Sequence, residues 1–206
     1  IKRFALFLTI FSAVALGYNW GTDILLHLAA TVGFGLVLYT FYTWISSKHK
    51  NVWDTLISCE IIFLLLHPGT GFAMLAFPLF AVFIAETLKF FIEWKSSPIV
   101  NPSAAGLLLT AGIAALIGWE LPFVSWWGAS YWILPVGSVS LILMALWIVG
   151  GFNVWRKWPL FISFLLAFGV FEALRGLSLA DLEFIFLDST VYFIAAVMLP
   201  EPKTSP

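Results

Sequence analysis

The residues of this chain that could do chemistry are few, and most of them interrupt runs of apolar side chains. Glu60 stands inside Ile57-Ser58-Cys59-Glu60-Ile61-Ile62. A carboxylate in such a run is costly to bury, so it faces a cavity or a partner, or it snorkels toward the nearest water. Lys89 follows Glu86 by three residues and precedes Glu93 by four, a spacing that places all three on one helix face. That face reads either as an interfacial salt-bridged stripe or as the lining of a polar site. Asn101-Pro102-Ser103 opens a strongly apolar segment. Asn accepts a bond from an orphan amide of the first turn, and Pro at the first helical position has no amide to orphan. Such a start aims the positive end of a helix dipole, with its amides, at whatever lies before it. The plain alternative is a well-capped helix. His27 lies one turn from Asp23 and reads as a packed or wet interfacial histidine rather than a ligand. His49 and His67 sit outside the apolar runs without metal-ligand spacing, and no His pair suits a haem. Asp188-Ser189-Thr190 begins the last apolar run, as a cap or as a cluster of polar contacts.

Composition says what must hold these groups. Of the 206 residues, 62% are hydrophobic and only 10% charged, which excludes an ordinary soluble domain. Mean hydropathy is +1.01. The apolar runs are continuous rather than alternating, so they predict membrane helices and not a barrel. Nine of the 11 Trp gather at run ends, as an interfacial belt requires. About eight segments are expected, near 4–19, 22–46, 55–66, 71–93, 101–118, 131–150, 158–174 and 184–199, within a single all-α transmembrane domain over 1–206. The third is too short to span at about 1.5 Å per residue and suggests a short or broken helix. With every segment crossing, Lys2, Arg3, Lys48, Lys50, Lys89, Lys95, Arg156, Lys157 and Lys203 share one side, against Arg175 alone on the other. That bias predicts both termini on the cytoplasmic side; the membrane is expected to be a bacterial-type inner membrane. The first run reads as a retained helix, not a signal peptide. One cysteine, Cys59, excludes an intrachain disulfide and a thiolate-held iron–sulfur cluster. No phosphate-binding loop, dinucleotide fingerprint, HExxH or GxSxG is present, and nothing suggests a nucleic-acid surface.

Four stretches in order carry a likeness. They are the short helix before His67-Pro68, Lys89 ahead of Val100-Asn101-Pro102-Ser103-Ala104, Arg156-Lys157-Trp158-Pro159, and Met198 with Glu201-Pro202-Lys203-Thr204-Ser205-Pro206. Over about residues 55 to 206 the chain resembles the family of flavin-linked membrane subunits shared by the sodium-translocating NADH:quinone reductase and the Rnf electron transport complex. Val100 stands where that family has Phe, and Pro200-Glu201 where it has Thr-Asp. The stretch 119–130, where the family's covalent FMN threonine would fall, contains no Thr. The resemblance therefore implies a short or truncated relative, on a scaffold related to ammonium and urea channels, that holds FMN or riboflavin without a covalent bond. It implies work beside a soluble or fused reductase. Lys89, Asn101, Pro102, Ser103, Thr70, Asp188, Thr190, Glu201 and Thr204 are the residues it points to for the flavin; no metal site and no catalytic residue are expected. A solute or ion transporter on the same scaffold, without flavin, is the competing reading.

Overall fold

The computed structural model describes residues 1–18, 21–48, 50–66, 75–94, 97–118, 142, 145–150, 157–178 and 189–198. Among the described residues the chain is all-α apart from one two-stranded turn. The chain clusters into two compact units, Ile1–Gly128 and Ala129–Pro206.

The first unit holds α1 (Lys2–Tyr18), α2 (Thr22–Ser46), α3 (Val52–Leu65), α4 (Ala76–Phe91) and α5 (Pro102–Leu116). Between α4 and α5 the antiparallel strands β1 (Glu93–Trp94) and β2 (Ser97–Pro98) pair Glu93 with Pro98 and Trp94 with Ser97. The apolar spacing does not announce this hairpin, because it is too short to leave a period. Local chemistry explains the helix ends. Asn51 Oδ1 accepts from the Trp53 amide at 3.2 Å, so α3 starts three residues before its apolar run. Pro78 lies in the first turn of α4, where its missing amide breaks no ladder bond. Asn101 Oδ1 accepts from the Ala104 amide at 3.0 Å with Pro102 next in line, as the sequence predicts.

The centre of this unit is α3. Every residue from Ile57 to Leu65 is buried, as are Asp54 and Thr55. It packs against α1, α2, α4 and α5. With 14 residues it is about 21 Å long, in line with the short third helix expected. The helices around it approach closely through small residues. A side chain at Gly106 on α5 would put its Cβ 2.5 Å from the Ala81 carbonyl oxygen of α4, and one at Gly35 on α2 would collide with Cys59 Sγ of α3. The outer faces are apolar: Val37, Phe41, Trp44 and Ile45 on α2, and Leu108, Leu109, Ile113 and Leu116 on α5, are exposed. Among the described residues α2, with 25 residues, is the one helix long and apolar enough to cross a membrane; α5 is a shorter apolar helix.

In the second unit, α6 (Trp158–Leu174) is another short apolar helix, started by Trp158-Pro159. The last segment begins as α7 (Ser189–Phe193) and widens into a π-helical turn over Ile194–Met198. Residues 145–150 are helical. Trp147 Nε1 donates to the Ala196 carbonyl at 3.0 Å, so the widened turn has a side-chain partner for one of its oxygens.

Candidate functional site

Polar chemistry in the first unit collects along α3. On one side Thr55 and the Asp54 carbonyl meet α4. Lys89 Nζ donates to Glu86 Oε1 at 2.6 Å and to the Asp54 carbonyl at 2.8 Å, and Thr55 Oγ1 donates to Glu86 Oε2 at 2.8 Å. Glu86 is 0% and Lys89 4% exposed. Both carboxylate oxygens thus have donors, the arrangement a buried charge pair needs. Glu86 and Lys89 form a salt bridge inside the bundle. It leaves out Glu93. Because α4 ends at Phe91, Glu93 lies on β1 and pairs with Lys48 at 2.5 Å and with Lys50, both from the turn between α2 and α3. These two lysines hold the Glu93 carboxyl below its usual range, Lys48 foremost. Lys48 Nζ also donates to the Phe90 carbonyl at 3.1 Å, which ties the two ends together.

On another side α3 meets α1. Glu60 is buried, not snorkelling, and its Oε1 lies 2.6 Å from Thr9 Oγ1. Glu60 Oε2 and Ser12 Oγ are buried with no hydrogen-bond partner among the described residues. His27 of α2 is fully buried, with its ring edge-on to Phe63 of α3 at 5.3 Å between centroids. It is a packed histidine, the first of the two senses in which the sequence reads it.

The hairpin carries α4 straight into α5, so the Lys89 turn and the Asn101 cap fall at the same end of two antiparallel helices. Asn101 is committed to its own first turn, Pro102 is buried beside it, and Ser103 is fully buried with Oγ unpartnered among the described residues. An apolar cleft of about 310 Å³ lies at the opposite end, between Ala76, Phe77 and Phe80 of α4 and Thr110, Ile113 and Ala114 of α5. It includes none of the expected flavin contacts. Thr70, Asp188, Glu201 and Thr204 lie outside the described residues, as does the side chain of Thr190. Thr9 and Thr55 are not legible as site residues in the sequence: a hydroxyl in an apolar run carries no spacing signal, and only the fold brings one to each buried carboxylate.

No family model, curated protein or solved structure matches this chain.

Proposed function

We propose that the chain is a polytopic integral membrane module of flavin-linked electron transfer. The membrane reading is supported by outer faces of Leu, Val, Ile, Phe and Trp, with Trp44 78% and Trp94 70% exposed near the Lys48–Lys50 end, where an interfacial belt would lie. The Lys and Arg bias supports both termini cytoplasmic, and the membrane we propose is a bacterial-type inner one.

The observation that carries the electron-transfer reading is Ser103. A buried hydroxyl without a partner among the described residues, one residue past a proline-started helix N-terminus, suits a polar ligand edge better than empty packing. It sits where the resemblance to the NADH:quinone reductase and Rnf membrane proteins points for flavin. Asn101, Pro102 and Ser103 would hold FMN or riboflavin there without a covalent bond. When bound, the flavin supplies one- and two-electron transfer between a reductase partner and an acceptor. The chain's own contribution is positional: the helix start orients the ligand edge, and the closed α4–α5 contact excludes water. Lys89 is already balanced by Glu86, so it acts by holding the α3–α4 framework, not as an unshared cation. The test is an absorption spectrum of protein purified in mild detergent, before and after denaturation. Yellow colour released on denaturing, and reduced in Ser103→Val, is the expected result. A colourless protein that takes up neither added FMN nor riboflavin overturns the reading.

One observation favours the second reading, transport of a small solute or ion without flavin. The buried, half-satisfied Glu60 lies on a helix that is central and too short to span, as in transporters whose sites lie at broken helices.

A further inference from the structure

We propose that Glu60 is a proton-binding site, a neutral carboxylic acid in the folded protein whose proton is held between Glu60 and the Thr9 hydroxyl at the α1–α3 seam. A count of hydrogens favours it. Thr9 Oγ1 lies 2.6 Å from Glu60 Oε1 and 3.0 Å from the Ala5 carbonyl oxygen. A hydroxyl has one hydrogen to give. If Glu60 is ionised, that hydrogen goes to the carboxylate, and the Thr9–Ala5 contact is left with two oxygens and no hydrogen. The other carboxylate oxygen, buried with no partner among the described residues, then carries charge without a donor. If Glu60 is protonated on Oε1, its O–H donates to Thr9, and Thr9 donates onward to Ala5. Both short contacts then contain a hydrogen, and Oε2 becomes the carbonyl oxygen of a neutral acid.

The rest of the chain supports the second arrangement. Thr31, Thr40, Thr87 and Thr110 each give their hydrogen to the carbonyl four residues back, as Thr9 does here. Thr55 is the contrast: its bond runs to Glu86 Oε2, and that carboxylate has Lys89 on its other oxygen. The two buried glutamates of the α3 core are thus held differently, one by a cation and a donor, the other by a hydroxyl that has already spent its hydrogen.

The groups facing Glu60 do not supply a countercharge. From α1 they are Thr9 and Ser12, with Lys2 and Arg3 exposed at the far start of the helix. From α2 there is His27, packed on Phe63 one turn along α3, with Asp23 one turn before it on α2. From α4 they are Glu86 and Lys89, which cancel each other at Thr55. From α5 there is no titratable residue. Thr9 is exposed on α1, so the proton lies one hydroxyl from the surface of the bundle.

This assignment does not depend on flavin, and infrared spectroscopy of the full chain in a detergent without carboxyl groups tests it separately. At neutral pH the expected spectrum contains the carbonyl stretch of a neutral carboxylic acid that shifts in heavy water and fades as pH rises. Glu60→Gln, which keeps size and can still bond Thr9, removes the band; Glu93→Gln, at the surface, leaves it. Thr9→Val keeps the band but moves it to higher wavenumber, because the acid has lost its acceptor. Absence of the band from the wild-type protein, its persistence in Glu60→Gln, or its failure to move in Thr9→Val overturns the proposal.

Discussion

Lys89 and Glu86 face each other one turn apart on α4, Nζ to Oε1 at 2.6 Å, with both side chains inside the bundle. Removing one charge strands the other in the core. Lys89→Met or Glu86→Gln alone is expected to cost about 3–5 kcal/mol. The double variant should cost much less than the sum, because no charge is left behind. Thermal unfolding in detergent of the four proteins decides this. Single variants that unfold like the wild type would mean that the pair carries no stability.

The cap at Asn101 gives a smaller and more specific effect. Its Oδ1 serves the Ala104 amide at 3.0 Å. Asn101→Ala is expected to cost about 1 kcal/mol, and Asn101→Asp to cost little, since Asp caps equally well. Ser103→Ala separates packing from ligand binding. In protein stripped of ligand it should be neutral or slightly stabilising, because an unpartnered buried hydroxyl is removed. In protein retaining flavin the same change should speed its loss on dilution. Equal effects in the two states would remove Ser103 from the site.

Much of this is readable from the residues, for identifiable reasons. Apolar runs and caps mark the described helices to within a few residues, because Asn101 and Trp158-Pro159 are local signals; the Asn51 cap, which starts α3 ahead of its apolar run, is not among the expected starts. The partner of Lys89 is readable as well, since Glu86 is on the same helix at fixed spacing. Whether that pair faces inward is not, because one helix face looks alike until its neighbours are known. Glu93 shares that face by spacing alone and leaves it because α4 stops at Phe91. Thr9 against Glu60 and Lys48 with Lys50 against Glu93 are contacts between elements, and no period within one element encodes them.

The Glu93 cluster should make the α2–α3 turn sensitive to acid and salt. Lys48 and Lys50 lower the Glu93 carboxyl in the folded chain relative to about 4.3 in an unfolded one. A depressed carboxyl contributes stability above the unfolded value and loses it as pH falls through the folded one. Wild-type unfolding should therefore ease below about pH 4 by more than that of Glu93→Gln. The difference should shrink in high salt, because these groups are partly solvated. A Glu93→Gln protein with the same acid profile as the wild type would show that the cluster adds nothing.

The α4–α5 contact offers a test on a single helix. At Gly106 a Cβ would stand 2.5 Å from the Ala81 carbonyl oxygen and 3.2 Å from Ala85 Cβ, both on α4. Backbone oxygen has no rotamer to yield, so Gly106→Ala must push the helices apart. At Gly112, on the same helix, a Cβ meets nothing within 4 Å. There the added methyl should only restrict the unfolded chain and favour the helix, by up to about 1 kcal/mol. Gly106→Ala is expected to cost about 1–3 kcal/mol despite the same gain in helix propensity. The two substitutions should move the unfolding temperature in opposite directions. Because the spreading at Gly106 would open the seam next to Ser103, under the proposed flavin site it should also raise the rate of flavin loss, which Gly112→Ala should not. If both glycines tolerate alanine alike, the close approach of α4 and α5 does not hold this end of the bundle together.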